Sequence, residues 1–101
     1  MRGERYENSQ AGFSSYFIMF DGGNTRLEVM HNDVIARPVD RGARGYAHVA
    51  FNVGSRERVD ELTAQLVADG YEKISGPRVT GDGYYESRIL DAEGNTVEIT
   101  G

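Results

Sequence analysis

The amino-acid sequence predicts an α+β fold made of two related modules, of which the first is incomplete. One stretch occurs twice: an aspartate, a Gly-Asn-Thr turn and a strand-like segment with a glutamate seven residues after the aspartate, in residues 21–29 and 91–99. The copies are offset by 70 residues, so residues 71–101 overlay residues 1–31. A strand and an amphipathic helix precede only the second copy, which makes the second module complete and leaves three strands for the first.

The first half is predicted to contain three strands and no helix. Residues 3–8 form a short edge strand, residues 9–12 a turn, residues 13–20 an aromatic and β-branched strand, and residues 26–30 the first glutamate strand. The turn at residues 21–24 offers Gly22 and Gly23 for positive φ. The partial first module is therefore assigned to residues 1–31, followed by a linker over residues 32–44.

Residues 45–101 are predicted to form a complete strand–helix–strand–strand–strand module. A strand over residues 46–53 precedes Ser55, a suitable N-cap for a helix that ends near Asp69. Gly70 suits the left-handed position that follows a helix. The buried stripe of the helix is predicted to contain Val59, Leu62, Leu66 and Val67. The remaining strands are predicted over residues 71–75, 84–90 and 97–100, with a bend at residues 77–83.

Composition restricts the class of protein. A length of 101 residues suits a single domain, residues 1–101. The chain contains no cysteine, which excludes disulfides and thiolate metal ligands, and it has no apolar run long enough to span a membrane. A net charge of −5 without a cluster of lysine and arginine argues against a nucleic-acid partner. We expect a cytoplasmic protein.

Strand alternation places three candidate ligands on faces that lack the apolar residues. Leu27 and Val29 share one face of the first glutamate strand, and Val97 and Ile99 share one face of the last strand. The side chains of His48, Glu28 and Glu98 then lie on the opposite faces. Two interpretations remain open: these faces are solvated, or they line one cleft in which an imidazole and two carboxylates bind a divalent metal.

Three segments of the sequence carry a family resemblance: GYAHVAFNV, TGDGYYES and DAEGNTVE, which occupy residues 45–53, 80–87 and 91–98. They resemble the vicinal oxygen chelate superfamily, which includes glyoxalase I, bleomycin and fosfomycin resistance proteins and extradiol dioxygenases. The resemblance covers nearly the whole chain, and small bacterial glyoxalase-like proteins look most similar. The resemblance implies paired βαβββ modules around a cleft, with the first strand and helix of the first module missing from this chain.

The resemblance also implies a metal site. By position, His48, Glu98 and Glu28 correspond to three ligands of a divalent ion such as Zn, Ni, Mn, Co or Fe. Glu98 and Glu28 are then also the candidate catalytic bases. The fourth ligand belongs to the missing strand, and His31, at the end of the Glu28 strand, is expected to be a loop residue instead.

Three functions are compatible with the sequence. One is a glyoxalase-like, metal-dependent lyase or isomerase acting on a small molecule with vicinal oxygens. Another is a metal-free small-molecule binding protein similar to bleomycin resistance proteins, and the third is a truncated, inactive family member. A substrate cleft would be lined by Tyr16, Tyr46, Met30, Tyr84 and Tyr85.

The incomplete first module predicts self-association. Without its neighbouring strand, the Glu28 strand has an unpaired edge, and exposed edges favour pairing with another chain. Without a covering helix, one apolar face of the first module's strands is expected to be buried by another chain. This face is predicted to contain Leu27, Val29, Phe17 and Met19. We therefore expect a homodimer or a higher homo-oligomer.

Overall fold

The computed structural model describes residues 2–8 by their backbone and residues 13–101 in full. The chain divides into two compact units, of which the first ends at Arg37 and the second is Pro38–Gly101. No helix among the described residues is long and apolar enough to cross a membrane.

The first unit contains one antiparallel sheet, here called the first sheet. Its strands are β1 (Arg2–Asn8), β2 (Phe13–Met19) and β3 (Arg26–Asn32), in the order β1–β2–β3. The three predicted strands are thus confirmed, with β1 at an edge, whereas the predicted turn at residues 9–12 lies outside the described residues. Between β2 and β3, the amide of Gly23 donates to the carbonyl of Phe20 at 3.1 Å. Gly22 takes a positive φ of 76° in this turn and Gly23 does not.

The pairing of β2 with β3 corrects one predicted face. Directly paired residues of antiparallel strands lie on the same face of the sheet. Phe17 pairs with Glu28 and Met19 pairs with Arg26, so neither shares a face with Leu27 and Val29. Tyr16, opposite Val29, and Ile18, opposite Leu27, occupy that face instead.

The second unit has the predicted strand–helix–strand–strand–strand order. Its elements are β4 (Val49–Asn52), α1 (Arg56–Ala68), β5 (Lys73–Val79), β6 (Tyr85–Leu90) and β7 (Thr96–Thr100). The second sheet has the strand order β4–β7–β6–β5, with β4 parallel to β7 and the other pairs antiparallel. This arrangement confirms the α+β fold class.

Two strands of the second sheet differ in length from their predictions. β4 begins at Val49, three residues later than the predicted strand. β5 continues to Val79, although the sequence predicts a bend from Pro77. Proline is tolerated there because β5 is an outer strand and its pairing with β6 is irregular around this position, which removes the need for a regular ladder hydrogen bond.

Helix α1 begins after Ser55 and ends before Asp69, as its sequence predicts. The Oγ atom of Ser55 accepts a hydrogen bond from the amide of Arg58 at 3.1 Å, which satisfies one of the unpaired N–H groups of the first turn. After the helix, Gly70 has a φ of 99°, and the amide of Tyr71 donates to the carbonyl of Leu66 at 3.0 Å.

The apolar core of the second unit lies between α1 and one face of the second sheet. Val59, Ile89 and Ile99 are buried, and Leu62 and Leu66 pack against them. The predicted helix stripe is therefore correct except at Val67, which is 46% exposed. A buried threonine completes the stripe: the hydroxyls of Thr63 and Ser87 lie 2.6 Å apart, linking α1 to β6.

Candidate functional site

The candidate site lies on the outer face of the second sheet, the face opposite α1. In the register of the sheet, Glu98 of β7 lies between Ala50 of β4 and Arg88 of β6. All three therefore share this face, while Val97 and Ile99 point toward the helix. His48 precedes Ala50 by two residues, which directs its side chain to the same face.

A buried carboxylate is the centre of this site. The side chain of Glu98 is only 7% exposed. Its Oε1 atom lies 3.2 Å from Nε2 of His48, and its Oε2 atom accepts a hydrogen bond from Nε of Arg88 at 3.0 Å. The two neighbours are more accessible, at 36% for His48 and 44% for Arg88. Glu98 is thus a buried, paired carboxylate rather than a solvated one.

The structure brings together two of the three predicted ligands within one unit. Two ligands of a tetrahedral first-row metal, each about 2.1 Å from the ion, lie roughly 3.4 Å apart. The 3.2 Å separation of Nε2 of His48 and Oε1 of Glu98 fits that spacing, and Arg88 binds the other carboxylate oxygen. These residues therefore fit two coordination positions of a divalent metal.

The third predicted ligand, Glu28, belongs to the first unit. It is exposed on β3 and lies on the face opposite Leu27 and Val29, as alternation predicts. Nowhere in residues 2–8 and 13–101 do three or more His, Cys, Asp or Glu side chains form a group able to hold a metal. The prediction that the other histidine, His31, is a loop residue was wrong: His31 belongs to β3, where it pairs with Ser14. Its side chain is exposed, and its Nε2 lies 2.9 Å from Oδ1 of Asp33.

A second glutamate on the outer face was not identified from the sequence. Glu86 precedes Arg88 by two residues on β6 and lies diagonal to Glu98. Partial burial is the main reason that its pKa is raised above 4.5, and the negative charge of Glu98 and a hydrogen bond to Glu98 raise it further. Arg88 opposes this shift. Glu86, Arg88 and Glu98 thus form one interacting group of charges.

Replacing Glu86 with glutamine is expected to stabilise the protein at neutral pH. A raised pKa means that folded Glu86 binds its proton more tightly than unfolded Glu86 does. The resulting stability is full below pH 4.5 and is lost as pH rises through the folded pKa. E86Q removes this loss, so its advantage over wild type in urea unfolding should be present at pH 7 and disappear below pH 4.5. The same advantage in Glu72→Gln, an exposed position, would contradict the explanation.

The five predicted cleft residues do not share a face within their units. In the first sheet, Tyr16 and Met30 lie on opposite faces. In the second unit, Tyr46 and Tyr84 are exposed, whereas Tyr85 packs against the core beneath α1. The hydroxyl of Tyr85 donates to Oδ1 of Asp60 at 2.6 Å, and this hydrogen bond is the main cause of its raised pKa. The placement of Tyr85 is therefore corrected: its ring supports the helix and lies on the side opposite Glu98.

Comparison with known proteins identifies a family and several solved structures of similar fold. Residues 4–99 match the family model of the Glyoxalase/Bleomycin resistance protein/Dioxygenase superfamily. A glyoxalase family protein from Enterococcus faecalis is 24% identical, with a TM-score of 0.72 over 97% of this chain and 75% of that one. A glyoxalase family protein from Bacillus cereus is 20% identical, with a TM-score of 0.72 over 99% of this chain and 74% of that one.

A eukaryotic enzyme has a similar fold. The trypanothione-dependent glyoxalase I of Leishmania major is 19% identical, with a TM-score of 0.72 over 97% of this chain and 66% of that one. No curated protein sequence matches this chain. At these identities the solved structures establish similarity of fold alone.

Proposed function

Because the chain belongs to the glyoxalase/bleomycin resistance protein/dioxygenase superfamily, we propose that it is a metal-dependent lyase or isomerase for a small molecule with vicinal oxygens. The supporting observation is the 3.2 Å approach of Nε2 of His48 to Oε1 of Glu98. His48 and Glu98 would hold the divalent ion, which we propose to be Zn, Ni, Mn, Co or Fe. The role of Glu28, which occupies the position of Glu98 in the repeat, stays a prediction from the sequence.

The side chains around the site have distinct tasks in this proposal. The metal supplies Lewis-acid polarisation of the two substrate oxygens. The carboxylate of Glu98 removes a proton from a carbon next to those oxygens. Arg88 holds Glu98 in one orientation through its Nε–H and offsets the charge of the carboxylate. Because Glu98 is shielded from water, its electrostatic interactions are stronger than those of an exposed carboxylate.

Metal binding tests the proposal directly. We expect wild-type protein to bind about one Zn²⁺, Ni²⁺ or Mn²⁺ ion per site in titration calorimetry, confirmed by elemental analysis of the purified protein. His48→Ala should weaken this affinity by at least 10-fold, since loss even of an outer partner costs about 10–100-fold. His31→Ala is the matched control, because it removes the chain's other histidine from an exposed position.

Two results would contradict the proposal. One is equal affinity of the two histidine variants, which would indicate adventitious binding. The other is the absence of binding of Zn²⁺, Ni²⁺, Mn²⁺ and Co²⁺ by wild-type protein that is folded by circular dichroism.

One contact favours a second candidate function, a metal-free small-molecule binding protein. Arg88 already supplies a positive partner for Glu98 at 3.0 Å, so the carboxylate does not need a metal for charge compensation. In that case the exposed parts of His48 and Arg88 would donate hydrogen bonds to a polar ligand. A small molecule that copurifies with wild-type protein prepared with a chelator, detected by native mass spectrometry, would support this candidate over the enzyme.

A further inference from the structure

Two arginines lie beside His48 and Glu98 on the outer face of the second sheet. Arg88 of β6 lies opposite Glu98. Arg78 of β5 lies opposite Glu86, which precedes Arg88 by two residues. Both arginines therefore lie on this face, diagonal to each other on neighbouring strands. Diagonal neighbours are separated by about 7–8 Å between their Cα atoms, a distance that long side chains span. The two guanidinium groups are thus within reach of one common ligand.

Most hydrogen-bond donors of these two arginines are unused. A guanidinium group carries about five N–H donors. Arg88 uses its Nε–H for Oε2 of Glu98, and neither of its Nη atoms hydrogen-bonds to a described residue. The guanidinium of Arg78 forms no hydrogen bond or ion pair within the described part of the chain. The side chain of Arg88 is 44% exposed, and Arg78 is also exposed. Both guanidinium groups can therefore bind a ligand from solution.

The charges of this face favour an anionic ligand. Glu86 lies opposite Arg78 but forms no ion pair with it, and its carboxyl group interacts with that of Glu98 instead. The two glutamates and the two arginines balance each other in charge. A divalent ion held by His48 and Glu98 leaves the face with a net positive charge, which an anionic ligand neutralises. The whole chain has a net charge of −5, so this attraction is local to the face.

We propose that Arg78 and Arg88 bind an oxyanion of the substrate, either a carboxylate or a phosphate. This role rests on the proposed function, in which the vicinal oxygens of the substrate bind a metal at His48 and Glu98. Guanidinium groups recognise both oxyanions through paired N–H···O bonds. An oxyanion on the Nη atoms of Arg88 lies within about 8 Å of the Glu98 carboxylate, because Nε of the same group already contacts it. The substrate is therefore a small acid whose oxyanion is a few bonds from its vicinal oxygens.

Anion binding by metal-free protein tests the arginines separately from the metal. Acetate and methylphosphonate are titrated at constant ionic strength, and the arginine Nε–H signals are followed in proton–nitrogen NMR spectra. At least one anion should bind with a millimolar dissociation constant. Arg78→Gln should weaken this binding by at least about 10-fold, because it removes a charge-assisted pair. Arg58→Gln is the matched control: it removes an exposed arginine that pairs with Glu61 on α1, and it should leave the affinity unchanged.

Metal-loaded protein distinguishes the two oxyanions and connects them to the metal site. Lactate, malate and phosphoglycerate esterified at its terminal hydroxyl all offer a hydroxyl and a carboxylate oxygen on neighbouring carbons. Malate adds a second carboxylate, and phosphoglycerate adds a phosphate. With Ni²⁺ bound, preference over lactate by at least about 10-fold for malate identifies a carboxylate, and the same preference for phosphoglycerate identifies a phosphate. Arg78→Gln should abolish that preference and leave the affinity for lactate unchanged.

Three results would overturn the oxyanion site. The first is that neither acetate nor methylphosphonate moves the arginine signals of metal-free protein. The second is an equal loss of affinity in Arg78→Gln and Arg58→Gln, which would indicate non-specific attraction. The third is equal affinity of metal-loaded protein for lactate, malate and phosphoglycerate. If the protein binds no metal but metal-free protein binds an anion through Arg78, the proposed function is rejected and the oxyanion site is retained.

Discussion

Replacing Ile99 with alanine is expected to lower the free energy of unfolding by about 2–5 kcal/mol. Ile99 is 4% exposed and lies in the middle of the second sheet, where it pairs with Phe51 on one side and with Ser87 on the other. Its side chain packs in the cluster that joins this sheet to α1. Truncation leaves a cavity that a paired central strand is poorly able to close.

The expected loss is large relative to the whole stability of the protein. A small domain is stable by about 5–15 kcal/mol. Only three apolar side chains among the described residues are buried, so few contacts can compensate for one that is lost. Urea unfolding followed by circular dichroism measures the change. Ile35→Ala is the control, because Ile35 is 77% exposed and its truncation should change stability by less than about 0.5 kcal/mol. Similar losses in the two variants would show that Ile99 is not a core residue.

The parts of the fold that could be predicted are those fixed by local sequence. Ser55 and Gly70 mark the two ends of α1 because the backbone geometry at helix termini selects these residue types. The repeated Asp…Gly-Asn-Thr…Glu stretch predicts equivalent strands, and β3 and β7 confirm it. The predicted end of β5 was wrong because proline usually interrupts a strand and is tolerated only in an outer one. Whether a strand lies at the edge of a sheet is decided by tertiary pairing, which the local sequence does not show.

The site was predictable only where it depends on alternation along a single strand. His48 and Glu98 follow from that pattern, and the structure brings them to 3.2 Å. Arg88 and Glu86 were missed because alternating charges on β6 have the same sequence pattern as a solvated face. Their relation to Glu98 is set by the register of β6 against β7, which one strand cannot reveal. The apolar character of Ile89, on the same face as Tyr85, was the signal that Tyr85 points to the core.

Replacing Arg88 with methionine is expected to destabilise the protein by about 3 kcal/mol at neutral pH. The variant removes the permanent positive partner of Glu98, a carboxylate that is only 7% exposed. His48 remains beside it and carries a positive charge only when its imidazole is protonated. The variant also removes the positive charge that offsets the repulsion between Glu86 and Glu98. Methionine preserves most of the side-chain volume, so the loss reports charge rather than packing. Urea unfolding of the two proteins at pH 7 gives the difference.

An exposed ion pair provides the control for this variant. Nη1 of Arg58 lies 3.5 Å from Oε2 of Glu61, and both side chains are more than half exposed. Arg58→Met should therefore cost less than about 1 kcal/mol, because water screens and replaces such a pair. If the two arginine variants lose equal stability, burial of Glu98 does not govern the energetics of its pairing.

The double variant R88M/E98M separates the contribution of the ion pair from the penalty of an unpaired charge. A nearly buried ion pair gains little net stability over apolar residues of similar size, because desolvation of both charges offsets their attraction. We therefore expect the double variant to recover most of the stability that Arg88→Met loses, so that the two substitutions are strongly non-additive. Additive losses would instead show that the pair itself stabilises the fold. Recovery would mean that folding does not require a charged residue at position 98, which favours a role for Glu98 in binding or catalysis at this face.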